Sequence, residues 1–525
     1  MVRPSLRQPP SDRIPQTQPL DRLVWSVMVG LMLVLGLLIL FGDHATVRVR
    51  NFTWQDREVG AEDRAFIITF SRPMDTASVE ANLTITPPLP GKISWAGRRM
   101  AYTLTQPIPY GQAFTVNLPE AQDRFTLSQP GRRSRFKPFQ GQFSSRKQAF
   151  LYIGVEGDEA NRLVLADPAQ RQRLILTPKN LRVLAFKPYP LGDRVLFSAS
   201  NTDQETALLN QQLYRVSTGI RPRPPEDLIA KGKPLWQPRR PQPASGQLEL
   251  VLDNRQYQNL KFDLSPDGET IVVQRVNRNN PADFGPWVVR TKAAPYRLNT
   301  QPGGDFLIAP DSQSLVLLQG AGTAIIDLAK DTSGVPAKPL DFLPEYGQVL
   351  DIARDGTAAA MVNFNQNDPG KRFMQSLFWV TNQGRKTELL QVKGGILEAH
   401  FDPTGQWLYL LISELETQHS GGELDTAAYV EQPSLLAVNL KSLAVTRLLR
   451  LPPQPDTHMS LAPDGRFLLL NVANRGDPLK AIDQSSEGGS EIWNLTLKRD
   501  AVSPNVLVMQ SEPYPFKGLM ATWLP

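Results

Sequence analysis

No cysteine occurs among the 525 residues, which excludes a disulfide framework, a thiolate nucleophile and a thiolate-held metal. Histidine is almost as scarce: His44, His400, His419 and His458 are scattered, and none forms the paired spacing of a zinc-hydrolase helix. His400 and His458 fall on or near strands at non-equivalent positions, so core or channel-lining roles are expected of them rather than metal ligation. There is no Gly-x-Ser-x-Gly elbow, no Gly-x-x-x-x-Gly-Lys phosphate loop and no twelve-residue calcium loop, which removes the corresponding hydrolases and calcium binders. Acid pairs are too numerous to single out a glycosidase dyad. An excess of one charge is missing too, because 57 Lys and Arg stand against 51 Asp and Glu, a net +6, and so small a balance does not mark a nucleic-acid binder. No catalytic residue, cofactor or metal ligand is assigned.

What the chain has in quantity is one turn, repeated. It reads Ser265-Pro266-Asp267-Gly268, Ala309-Pro310-Asp311-Ser312, Ala353-Arg354-Asp355-Gly356, Asp402-Pro403-Thr404-Gly405 and Ala462-Pro463-Asp464-Gly465, with third positions 44, 44, 49 and 60 residues apart. Proline pre-sets φ at the first central position of a β-turn and glycine accepts the positive φ that closes it. Each turn is followed by an apolar run such as Ile271-Val272-Val273 or Leu408-Tyr409-Leu410-Leu411, the pattern of a strand covered on both faces. A third strand follows, six times over, from Leu213-Tyr214-Arg215-Val216 to Glu491-Ile492-Trp493-Asn494. A seventh copy, Arg162-Leu163-Val164-Leu165, has no first strand before it, and Phe516 to Pro525 would supply one. The spacing fits a propeller blade, and closure by the last strand removes the open edges. A seven-bladed propeller over 146–525 is expected; a long β-sandwich, or six blades with a stray hairpin, is the alternative. The pattern resembles the TolB-type and WD-repeat-like propellers, a resemblance that implies fold but not activity.

Upstream, 45–145 reads as a β-sandwich of short strands, among them Phe66-Ile67-Ile68-Thr69-Phe70 and Phe114-Thr115-Val116-Asn117-Leu118, divided by Pro and Gly turns. Phe70-Ser71-Arg72-Pro73-Met74-Asp75, Ile85-Thr86-Pro87, Ile93-Ser94-Trp95 and Pro109-Tyr110-Gly111 resemble the bacterial Ig-like domain of S-layer-type surface proteins, which implies a spacer or adhesion module. Residues 23–42 carry no charge, enough helix to span a ~30 Å hydrocarbon layer. They are expected to form a transmembrane helix after a cytoplasmic tail, 1–22, with a cleaved signal peptide as the alternative. Arg3, Arg7, Arg13 and Arg22 precede the run, which places the protein in the inner membrane by a single pass with its domains in the periplasm or outside the cell.

Candidate binding residues come from charge. Ser413 to Gln432 carries Glu414, Glu416, Glu423, Asp425 and Glu431 without a Lys or Arg, whereas Thr218 to Gln247 is proline-rich and basic. In a four-stranded blade these two insertions leave opposite faces. Arg132, Arg133, Arg135 and Lys137 make the join between the domains basic; it is either a solvated linker or a contact for anionic headgroups or polymer. Together these features predict an all-β, membrane-anchored, extracytoplasmic binding or scaffolding module of the bacterial envelope, whose partner is an envelope protein or surface polymer and not nucleic acid. A propeller hydrolase acting on envelope glycan or peptide, or a purely structural surface protein, stays open. Acids converging on a central cleft would favour the enzyme, and an aromatic patch on one face would favour the binding module.

Overall fold

The uncharged run near the start forms a helix, Pro19–Phe41. The structure, a computed structural model, describes residues 19–41, 46–124, 136–201, 209–221, 244–291, 293–320, 322–329, 339–419, 427–454, 457–473, 490–499 and 507–525. In the helix, side chains are described from Leu23 to Leu37. Among the described residues no helix is long and apolar enough to cross a membrane. The transmembrane helix expected over 23–42 is corrected on this finding, and with it the single-pass inner-membrane location.

Residues 46–145 contain two four-stranded sheets. One runs in the order Val49–Phe52, Ala65–Phe70, Arg99–Leu104, Gly91–Ala96, and the other Glu58–Val59, Phe139–Ser145, Ala113–Leu118, Thr84–Thr86. Alternation along each strand turns Phe66, Ile68, Phe70, Phe114, Val116 and Phe143 into one core shared by both sheets. Phe52 and Trp54 close it, with Trp54 5.0 Å from Phe143 and 5.3 Å from Phe66 between ring centroids. A short helix, Thr76–Asn82, starts where Asp75 accepts a hydrogen bond from the Ser78 N–H at 3.1 Å, an N-cap the sequence reading does not anticipate. Lys137 and Arg146 flank the strand Phe139–Ser145 rather than lying in an open linker.

From Phe150 on, the strands come in antiparallel sets of four. Three sets are separate sheets: Leu181–Pro188 to Leu248–Leu252, Tyr257–Leu264 to Tyr296–Arg297, and Phe306–Ile308 to Asp341–Leu343. The remainder are joined by two long shared strands. Lys386–Phe401 pairs through its first half with Met374–Thr381 and through its second half with Trp407–His419, bending at Gly394, whose φ is 136°. Leu507–Trp523 pairs with Ser490–Arg499 and then, from Gly518 to Trp523, with Phe150–Gly154. The last strand therefore completes the set that begins at Phe150, which is how a β-propeller joins its ends.

The repeated turns take one geometry. Gly268, Gly356, Gly405 and Gly465 all have φ between 69° and 76°, and Ser312 reaches 59° where its copy lacks glycine. A further copy, Tyr189-Pro190-Leu191-Gly192, closes the same way with Gly192 at 67° and its N–H on the Tyr189 carbonyl at 2.8 Å. The innermost strands carry register shifts at Val183/Ala185, Asn259/Phe262, Val349/Asp351 and Ile396/Glu398. Bulges of this kind re-aim the side chains that follow them.

Candidate functional site

At the propeller axis three of these four strands carry an acid at or just past the bulge, and each acid reaches across to the next set. Asp263 accepts the Ile308 N–H at 2.8 Å, Asp351 the Phe401 N–H at 2.8 Å and Glu398 the Met459 N–H at 2.8 Å. Their remaining oxygens are also engaged: Asp263 by Lys187, Asp351 by its neighbour Ile352 N–H, and Glu398 by His458 Nδ1 at 2.7 Å. Lys261 pairs with Asp305, and His458 Nε2 lies 3.3 Å from the Thr522 hydroxyl on the closing strand. The axial acids thus clasp neighbouring sets. Burial pushes the Asp351 carboxyl above its ordinary value, against the opposing pull of His400 and two backbone N–H groups. Burial also pushes Glu398 up, but the His458 hydrogen bond and charge outweigh it and its pKa lies below the usual range. Among the described residues no group of three His, Asp or Glu could hold a metal ion.

The face bearing the turns is covered in part by the N-terminal sheets. The Tyr110 N–H donates to Asp464 Oδ2 at 3.1 Å in the last turn, and Arg146 bridges Glu62 and the Pro525 carbonyl. Asp355, held low chiefly by the Thr357 hydroxyl, also feels Arg64 of the first sheet pair. The basic insertion is rooted on this face, where the Thr218 hydroxyl donates to the Gly192 carbonyl at 2.7 Å; its residues 222–243 lie outside the described residues.

The opposite face carries the acidic insertion, which is an arm rather than a loop. Trp407–His419 and Ala427–Asn439 stay paired out to His419↔Ala427. The strand period then sorts the acids onto two sides. Glu414 and Glu416 share one side with Arg447 and Arg450, at 2.8 Å and 2.5 Å. Glu431 stands on the other, opposite Leu415 and 3.4 Å from the Ser413 hydroxyl. Glu423 and Asp425 lie outside the described residues, as do Arg132, Arg133 and Arg135; Lys137 starts the strand-flanking segment already noted.

Charge counting misses the feature on the Glu431 side. A groove of ≈ 360 Å³ is lined there by Phe364, Phe373, Leu397, Leu415, Gln375 and Glu431, among others. Phe373 is 65% exposed, Leu397 40% and Tyr429 62%. Phe373 holds a φ of 65°, an unusual state for a bulky residue that stores on the order of 1–3 kcal/mol. The Arg372 guanidinium lies 5.1 Å from the Phe373 ring and Lys393 5.8 Å from that of Tyr429. Gly394 forms the floor, where a Cβ would fall 2.0 Å from the Ser413 carbonyl oxygen. Pairing of the inner strand with the arm stops at Gly394↔Glu414, so the arm strand beyond Glu414 turns an open edge toward the groove. Clustered exposed aromatics beside an open edge suit an extended peptide.

No family model and no curated protein matches the chain. Among solved structures, TolB from Acinetobacter baumannii is similar over 85% of this chain and 83% of that one, at 9% identity and a TM-score of 0.36. Oligogalacturonate lyase from Vibrio parahaemolyticus is similar over 59% of this chain and 80% of its own, at 10% identity and a TM-score of 0.39. Likeness at this level carries no argument for activity, and the propeller rests on the strand pairings described above.

Proposed function

We propose that the chain is a binding or scaffolding module, a seven-bladed propeller closed by its last strand, with the N-terminal sheets docked on the turn face and a partner protein held in the groove on the other. The exposed Phe373 and Leu397 of the groove, with Tyr429 exposed on the same side of the arm as Glu431, carry this reading, because large apolar and especially aromatic anchors dominate protein interfaces. Of the two partners expected from the sequence, an envelope protein fits better than a surface polymer. An open strand edge offers alternating N–H and C=O groups to a peptide backbone. The hydrolase reading is weaker because the axial acids that would serve it are already used as clasps between sets.

The test uses the full chain. Phe373→Asn combined with Leu397→Asp should abolish recovery of the partner in an affinity pull-down read by mass spectrometry, with circular dichroism unchanged. Recovery equal to that of the unmodified protein would refute the groove as the docking site.

A further inference from the structure

The turn face holds a second concavity that the groove reading does not use. It is a cleft of ≈ 500 Å³ at the end of the propeller axis. Its walls come from successive turns and the strands that enter them: Pro266, Pro310, Pro403 and Pro463, with Phe401 and Leu461 deeper in. That volume is within the range of small-molecule sites, which are mostly apolar with a few convergent polar groups and favour domain boundaries. The docked N-terminal sheets make such a boundary, since Tyr110 contacts the Pro463 turn through Asp464.

Four charged or titratable side chains line the cleft: Asp351, Arg354, His400 and Asp402. Two of them are consumed by the fold. Asp351 accepts the N–H groups of Ile352 and Phe401, and Asp402 caps its own turn through Thr404, Gln406 and Trp407. The other two are not. His400 Nε2 is buried without a hydrogen-bond partner among the described residues, an unfavourable state that a bound ligand would relieve. Arg354 replaces the proline of the other turns and is exposed at the mouth. Each is a hydrogen-bond donor or can become one.

We propose that this axial cleft binds a small monocarboxylate with an apolar body, its carboxylate held between His400 Nε2 and the Arg354 guanidinium and its body against the proline walls. A guanidinium and an imidazole N–H both give charge-assisted hydrogen bonds to a carboxylate.

The experiment is isothermal titration of the full chain with 4-phenylbutyrate and with its neutral amide. The acid should bind saturably at one site, and the amide about tenfold more weakly or not at all. Arg354→Ala, at an exposed position that should not disturb folding, and His400→Leu should each weaken the acid about tenfold while leaving the amide unchanged. A peptide ending in a free phenylalanine carboxylate forms a second arm; tighter binding of that peptide than of the free acid would overturn the small-molecule assignment. Absence of saturable binding, equal affinity for acid and amide, or an Arg354→Ala protein indistinguishable from the parent would overturn the site. Partner recovery through the groove is read separately, so failure here leaves that reading to its own test.

Discussion

The two faces of the propeller pair their carboxylates alike but differ in what the arm face leaves exposed. On the turn face, carboxylates are tied to specific donors: Asp464 to the Tyr110 N–H, Asp402 to its own turn and the axial acids to the next set. On the arm face, Glu414 and Glu416 are also paired, with Arg447 and Arg450, yet Phe373, Leu397 and Tyr429 remain exposed. Of the acids that look like a binding surface in the sequence, Glu414 and Glu416 are therefore neutralised by neighbours. What the arm face offers a partner is shape, aromatic surface and an open strand edge.

Breaking the ring should have the largest effect, because both faces presuppose it. Trp523 is buried against Phe150 at 5.6 Å and Phe467 at 6.2 Å between ring centroids. Trp523→Ala should lower the unfolding free energy by ~3–5 kcal/mol, measured by urea denaturation. A midpoint unchanged from the parent would show that the closing strand does not hold the ring.

The burial of the Tyr110 hydroxyl in the N-terminal sheets, next to their contact with the turn face, should show itself at high pH. Burial, the largest influence, pushes the Tyr110 hydroxyl up to about 12. A pKa raised in the folded state means that its stabilisation is present below the ordinary tyrosine value of ~10 and is lost as pH rises from there through about 12, roughly 2–3 kcal/mol in all. Urea midpoints from pH 9 to 12 should fall more steeply for the parent than for Tyr110→Phe, and parallel curves would contradict the assignment.

On the arm face the effects are smaller and differ in sign. Phe373→Asn should raise stability by about 0.5–1 kcal/mol, since Asn tolerates the left-handed region, while partner recovery falls. Glu414→Gln with Glu416→Gln should change stability by only ~0–1 kcal/mol, as expected of exposed ion pairs, and leave recovery intact. A large loss of recovery with the second pair would restore the acids as the recognition element.

The turns and apolar runs were legible because each is a local requirement: Pro266 and Gly268 set one reversal, and Ile271 to Val273 need cover on both faces. The spare last strand was legible for the same reason, by counting. The arm was read as a loop because its strands leave the propeller, where the sequence 413–419 holds a single apolar residue, Leu415, and so shows no strand period. The groove was out of reach, since it depends on a positive φ at Phe373, a residue whose type argues against it, and on Gly394 bending one strand between two sets. Asp351 and Glu398 become axial clasps only through the register shifts beside them, and a shift of register leaves no mark in composition. His400 and His458 were expected in core or channel-lining places, and the structure puts both at the axis.

The most direct test of where the partner sits is site-specific photo-cross-linking, with a benzophenone side chain placed either at Leu397 in the groove or at Glu269 on the turn face. The account predicts a discrete cross-linked partner from position 397 and none from 269, with the product at 397 lost when Phe373→Asn is present. Cross-linking from 269 with none from 397 would contradict it.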